Sequence, residues 1–250
     1  MSPRQDLYTL SPWMNAAGML GFAPGRYWNW PEPAGAFVTN PVSLNPRTPA
    51  RDRNAAPTPG GVLLHSGLPN PGLRAVLRDH AAQWARSAAP VWLHLIANRP
   101  DELKQMLRLV EESEAEVMAI ELGLPPGIRS DHALSLVAAA AGELPVVPAV
   151  SFSAAGEPWL SRLARAGASA VTLTAPRGMV STDLEKVQTG RLFGPALLPL
   201  AAAAVTAARR CGLPVIAGGG VYSTAAGNLL LELGATAVQI DTVLWNETQP

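Results

Sequence analysis

Cysteine is nearly missing from this sequence. Among 250 residues only Cys211 carries a thiol, so neither an intrachain disulfide nor a Cys-based metal cluster can form, and a reducing, cytoplasmic setting is expected. Net charge is missing as well. Nineteen basic side chains balance 19 acidic ones, and charged residues make up only 15% of the chain, which removes the basic excess of a nucleic-acid binder and the high net charge of a disordered tail. Lysine is the scarcest charged type: Lys104 and Lys186 are lysines, and the other basic residues are arginines. A long unbroken apolar run is also wanting. The N-terminal stretch MSPRQDLYTLSPWMNAAGMLGF has an early arginine but no continuous apolar segment, unlike a cleaved signal peptide. Residues 192–208 carry no charge, yet they contain Gly194, Pro195 and Pro199 and are rich in alanine. They read as a buried helix with proline in its first turn, not as a membrane span.

What is present is a rhythm. Short runs rich in Val, Ile and Leu, bounded by Gly, Pro or Asn, alternate with helical patterns, which is how a parallel sheet with crossover helices appears in sequence. The strand candidates are Trp13–Ala17, Ala36–Thr39, Val91–Ile96, Glu116–Leu122, Val146–Val150, Ala170–Thr174, Pro214–Ala217 and Ala237–Ile240. Helical patterns lie near 71–86, 101–113, 131–142, 157–166, 196–211 and 223–233. Ser130 is placed to cap one helix, and Gly212 and Gly234 to stop two others. Eight strands favour a single-domain (β/α)8 barrel over an open doubly wound sheet, and 250 residues is an ordinary size for one. Residues 21–35 and 41–70 are crowded with proline, glycine and arginine, and are expected to be long loops. Thr242–Pro250 is too short for a full closing helix, so the last barrel wall is expected to be thin.

Chemistry is first suggested by Ala217–Val221, AGGGV, between a buried strand and a helical pattern. Glycines there let backbone N–H groups approach a phosphate, and a helix N-terminus adds a favourable dipole. The alternative is a plain strand-to-helix turn. Twenty residues on, AVQIDT ends the next strand and can supply the second half of a site between the last two loops of a barrel.

At this point the sequence resembles the dihydroorotate dehydrogenase family of FMN-dependent barrels, and most of all its soluble class 1 branch. The resemblance rests on Met14-Asn15-Ala16-Ala17-Gly18, on Phe37-Val38-Thr39-Asn40 through Ser43-Leu44-Asn45-Pro46-Arg47 to Thr58-Pro59-Gly60-Gly61, and on Gly67-Leu68-Pro69-Asn70-Pro71-Gly72. Gly190-Arg191-Leu192-Phe193-Gly194-Pro195-Ala196, Pro214 to Val221 and Ala237 to Thr242 extend it across nearly the whole chain. It implies that FMN, or another phosphate-bearing ligand, lies on Ala16, Ala17, Gly18, Asn40, Gly194, Gly219, Gly220, Asp241 and Thr242. Gly67, Leu68 and Asn70 would lie at the substrate, to which Arg177 could supply a polar contact if the barrel is an enzyme. It also implies a homodimer or a partner subunit.

The family's reactive residues do not carry over. Its lysine at the end of strand two corresponds to Asn40 and its strand-five lysine to Ala149. Its substrate asparagines correspond to Leu64 and Ala175, and the loop that holds its catalytic base reads Glu121-Leu122-Gly123-Leu124-Pro125-Pro126-Gly127. A positioned base contributes about 10²–10⁴-fold in rate, so oxidation of dihydroorotate itself is not expected. Asp241 stands where the family has glycine. Pointing inward it repels a phosphate; pointing outward it leaves the backbone N–H free to bind one.

Two readings stay open: a flavin-dependent oxidoreductase acting on an altered substrate, or an inactive family member serving as a binding or structural subunit. His65 and His94 are weak catalytic candidates, each with a plain alternative as a loop or packing residue. Glu121 is either a site group or a buried, paired carboxylate. Trp28 and Trp30, in Tyr27-Trp28-Asn29-Trp30-Pro31, either roof the mouth, offer a partner surface, or pack in the core. Glu111, Glu112, Glu114 and Glu116 read as a solvated helix end. Schiff-base chemistry lacks a strand-end lysine, and no metal site is expected from scattered His65, His80, His94 and His132. Loops 41–70 and 123–130 should share one barrel end with Gly219 and Asp241.

Overall fold

The computed structural model describes residues 7–25, 28, 30–51, 54–183 and 186–245. Its strands are β1 (Trp13–Asn15), β2 (Phe37–Val38), β3 (Asn54–Thr58), β4 (Gly61–His65), β5 (Val91–Ile96), β6 (Ala119–Gly123), β7 (Val146–Ser151), β8 (Val171–Thr174), β9 (Arg177–Asp183), β10 (Lys186–Phe193), β11 (Val215–Gly218) and β12 (Ala237–Ile240). The helices are α1 (Leu73–Trp84), α2 (Pro100–Glu112), α3 (Ser130–Ala140), α4 (Leu163–Ala166), α5 (Leu198–Ala208) and α6 (Thr224–Glu232). Each of the eight expected strands is present. They form one parallel sheet in the order β1-β12-β11-β8-β7-β6-β5-β2, which a parallel bridge from Met14 to Ala36 closes into a barrel.

The barrel holds because its strands are apolar on both faces. Inside lie Met14, Ala36, Val38, Trp92, Ala119, Val147, Ala170, Ile216 and Ala237, all buried. Four alanines make room for the indole of Trp92 and the long side chain of Met14, so that large and small side chains share one layer. Outside, Leu93, Leu95, Ile120, Leu122 and their neighbours pack against the helices. In α2, for example, Leu103, Met106, Leu109 and Val110 form the buried stripe, while Glu111 and Glu112 at its end, with Glu114 and Glu116 beyond, are exposed. Proline at its start supplies a preset φ where no amide donor is needed.

The seam between β1 and β2 is the weakest of the ladder, and a side chain reinforces it. Asn15 donates to the Val38 carbonyl at 2.6 Å and accepts from the Val38 N–H at 3.0 Å. Outside this seam Trp30 packs on Trp13, with ring centroids 5.8 Å apart. Gly227 of α6 lies so close beneath Trp13 that a Cβ there would come within 2.3 Å of the ring. Trp28 also packs against the core and donates to the Glu32 carbonyl. The tryptophan-rich loop is therefore part of the core; Tyr27 and Asn29 lie outside the described residues. After β12 the described chain makes one 3-10 turn, Thr242–Trp245, where Trp245 is 48% exposed. Residues 246–250, where a thin last wall is expected, lie outside the described residues; Trp30 covers β1.

Two expectations need correction. Residues 41–70 are not all loop: β3 and β4 join β10 and β9 in a four-stranded antiparallel sheet, in the order β3-β4-β10-β9. Pro57 is tolerated because β3 is an edge strand, and the partner strands lie more than a hundred residues away, beyond any local pattern. Ser130 does not cap α3. It is the first helical residue, and Arg129 before it makes no side-chain cap bond. The hydroxyl that does cap is Ser223, which accepts from Ala226 N–H at the start of α6. Gly212 and Gly234 stop their helices with positive φ, as expected. No helix among the described residues is long and apolar enough to cross a membrane.

Candidate functional site at the barrel mouth

All eight barrel strands run in parallel, so the segments leaving β2, β6, β11 and β12 emerge at one end. That end holds the 41–70 region, the 123–130 loop, Gly219 and Asp241, as the sequence leads one to expect. Two residues beyond the interior layer, alternation brings Asn40, His94, Glu121, Ala149, Thr172 and Gln239 inward. His94 and Glu121 are register partners on β5 and β6. The imidazole Nδ1 lies 2.6 Å from a Glu121 oxygen, and both groups are buried. The other oxygen accepts from Thr172 Oγ1 at 2.8 Å and Gln239 Nε2 at 2.7 Å. Burial alone would push the Glu121 carboxyl up; the hydrogen bond and charge of His94, helped by Thr172 and Gln239, outweigh it and hold the group below its ordinary value. Glu121 is thus a buried, paired carboxylate, and its partner is the histidine. The imidazole Nε2 sits over Gly123, where an added Cβ would be 2.6 Å away.

Above this network lies the antiparallel sheet. Arg177 and Arg191 are direct cross-strand partners, and Arg191 also opposes Leu64. On that same face Phe193 opposes Val62, and Val62, Leu64 and Phe193 pack with Ala175 and Leu197 at the mouth. Burial lowers the Arg191 pKa, the neighbouring Arg177 charge lowers it further, and Glu121 pulls the other way. Among the described residues the Arg191 guanidinium has no hydrogen-bond or ion-pair partner. His65 ends β4 one residue from Leu64, and so points to the opposite face of the sheet from the mouth. It is not brought together with His94.

At the glycine loops Gly219 and Gly220 both have positive φ, 90° and 83°. A Cβ on Gly219 would meet the Phe152 ring at 3.1 Å, and one on Gly220 would meet the Leu198 nitrogen at 2.4 Å. Beside them Tyr222 and Thr242 share a hydroxyl hydrogen bond of 2.5 Å. Asp241 is buried to 1% exposure, with Thr242 Oγ1 3.4 Å from its Oδ1 and no partner for Oδ2 among the described residues. Burial pushes its carboxyl up to about 6 against the pull of its Tyr222 and Thr242 hydrogen bonds. Burial and the Asp241 charge push the Tyr222 phenol up as well.

Several of the expected contact residues also hold the fold. Asn70 is buried, and its amide holds the loop together: its oxygen accepts from the Ser43 and Gly72 N–H groups, and its nitrogen donates to the Leu68 carbonyl and Ser43 Oγ. Leu68, at φ 55°, is 41% exposed, and Gly67 turns against the Ala50 backbone. Asn40 accepts from the Gly21 N–H at 3.1 Å, which braces the loop after β1. Gly194 is required by packing, since a Cβ would fall 2.2 Å from the Gly60 carbonyl oxygen. Ala16, Ala17 and Gly18 lie partly buried at the rim, where Ala16 N–H donates to the Ile240 carbonyl. Arg177 is exposed at the mouth. Sequence reasoning missed Tyr222, Thr172, Gln239, Phe152 and the role of Arg191. The matched offsets of His94 and Glu121 in successive strands were the signal available for the central pair.

No family model matches the chain. Curated relatives do. The chain is 30% identical over 254 residues to the catalytic subunit of dihydroorotate dehydrogenase B (NAD(+)) of Trichlorobacter lovleyi, covering 93% of this chain and 83% of that protein. It is 31% identical over 267 residues to the subunit of the same name from Streptococcus pneumoniae, covering 96% and 84%. Among solved structures it superposes on Eimeria tenella dihydroorotate dehydrogenase, crystallised with ferulenol, at a TM-score of 0.70 and 14% identity, covering 94% of this chain and 76% of that one. That likeness supports the (β/α)8 fold, and the identity across most of both chains to the bacterial subunits places this chain in the dihydroorotate dehydrogenase family.

Proposed function

We propose that this chain is a family member that neither oxidises dihydroorotate nor holds FMN in the family's manner, and that it works as a ligand-binding barrel. The observation that carries this reading is the buried Asp241 carboxylate between Tyr222 and Thr242, beside the glycine loop. A flavin phosphate docked there would meet a carboxylate whose Oδ2 has no donor. At about 4 Å and an effective dielectric near 20, each unit charge pair costs about 4 kcal/mol. Thr242, the hydroxyl best placed for phosphate, is engaged by Tyr222, and Phe152 covers Gly219. The residues present do not fit the cofactor. Chemistry points the same way: Leu64 and Ala175 stand where the resemblance expects substrate asparagines, and Asn40 and Ala149 where it expects lysines.

The test is the visible spectrum of the purified protein, before and after incubation with excess FMN and removal of the unbound fraction. A colourless protein that takes up no flavin, with no dihydroorotate-dependent dye reduction, is the expected result. A yellow protein holding one flavin per chain would overturn it in favour of an oxidoreductase acting on an altered substrate. From the words "catalytic subunit" in the relatives' names we extend to this chain the expectation of a second copy or a companion subunit. Light scattering of the purified chain reads that directly.

A further inference from the structure

We propose that Arg177 and Arg191 recognise the carboxylate of a small apolar monoanion at the barrel mouth, with the body of the ligand resting on Leu64 and Phe193. The proposal deepens the preceding reading by naming the ligand class. The two arginines are cross-strand neighbours, so their side chains leave the sheet on one face, a few ångströms apart. Like charges placed side by side repel, and an anion between them removes the repulsion. Arg191 is partly buried and feels the Glu121 and Arg177 charges without a hydrogen bond or ion pair among the described residues, which leaves its planar fork of donors free for a bidentate carboxylate. Its neighbours on the same face are Leu64 and Phe193, packed with Ala175 and Leu197. They offer a carboxylate-bearing ligand apolar surface and no hydrogen bonds.

The same surroundings decide against other anions. Glu121 lies beneath, bonded to His94, Thr172 and Gln239 and ionised at neutral pH. Phosphate has no apolar body to rest on Leu64 and Phe193, so it gains nothing from the surface that a monocarboxylate with an apolar body covers. A polar heterocyclic acid such as orotate would bury its ring amide and carbonyl groups against Leu64 and Phe193 without partners, and unmet polar groups are costly.

Isothermal titration of the full chain with benzoate, orotate and inorganic phosphate tests this, alongside an Arg191→Met variant whose fold is checked by circular dichroism. Benzoate should bind the wild type, and at least about tenfold more weakly to Arg191→Met. Orotate and phosphate should bind at least about tenfold more weakly than benzoate to the wild type. Equal benzoate affinity in the variant, equal affinity for orotate or phosphate, or no benzoate binding by a colourless protein would overturn the proposal and leave standing the reading of a barrel without flavin. A yellow protein overturns both, because flavin would then hold the mouth. Should Arg191→Met fail to fold, Arg177→Gln on the exposed neighbour carries the same expectation.

Discussion

The side-chain amide of Asn15 takes the place of a strand partner for Val38, giving one hydrogen bond to its carbonyl and receiving one from its N–H. Asn15 is fully buried, and beyond it the β1–β2 seam has only the bridge from Met14 to Ala36. An Asn15→Ala variant leaves two backbone groups of Val38 buried and unpaired, at about 1–3 kcal/mol each. Thermal unfolding should show a drop of several degrees at least, and an unchanged midpoint would mean that the seam does not depend on this residue.

The His94–Glu121 pair makes a pH-dependent contribution of known sign. The Glu121 carboxyl is held below its ordinary value of 4.5 in the fold. The stability it adds is complete above that value and is lost as pH falls through the lower, folded one. His94→Leu removes the principal partner of a buried carboxylate and should cost about 3–5 kcal/mol at pH 7 in urea unfolding. Adding Glu121→Gln to that variant should restore part of the loss, since a neutral amide needs no counter-charge. A double variant no more stable than the single one would contradict this.

Asp241 contributes with the opposite sign. Its folded value is raised from 3.8 to about 6, so ionisation opposes folding. The penalty is absent well below 3.8, grows as pH rises towards 6, and is complete above it, on the order of 3 kcal/mol. Asp241→Asn should therefore be more stable than the wild type at pH 8 and about equal to it at pH 3. Denaturation midpoints at the two values decide the matter, and a variant weaker than the wild type at pH 8 would show that the carboxylate is needed.

Trp30 shields β1 beside its seam with β2. Its indole lies on Trp13, and its Nε1 is buried without a hydrogen-bond partner among the described residues. Trp30→Ala should cost about 3–5 kcal/mol by opening a cavity. Trp30→Phe keeps most of the contact and removes the unpaired N–H, so it should cost well under half as much. Equal losses in chemical denaturation would mean that the indole edge matters and its bulk does not.

Sequence alone determined the barrel. Eight short apolar runs with helices between them leave few ways to bury both faces of every strand, and Gly212 and Gly234 mark helix ends because only glycine takes positive φ there easily. The absence of family lysines at Asn40 and Ala149 was equally legible, since it concerns identity and not position. Tertiary structure decided the rest. The antiparallel sheet over the mouth pairs β4 with β10, segments separated by more than a hundred residues, and no local periodicity announces such pairing. That sheet sets Arg191 beside Arg177, as the barrel register sets His94 beside Glu121. The amide of Asn70, expected at the substrate, is bonded to Ser43, Leu68 and Gly72, which only the folded loop brings around it. The sign of the Asp241 contribution also belongs to the fold: the residue type supplies a carboxyl, but only burial beside Tyr222 and Thr242 raises its pKa and sets it against an incoming phosphate.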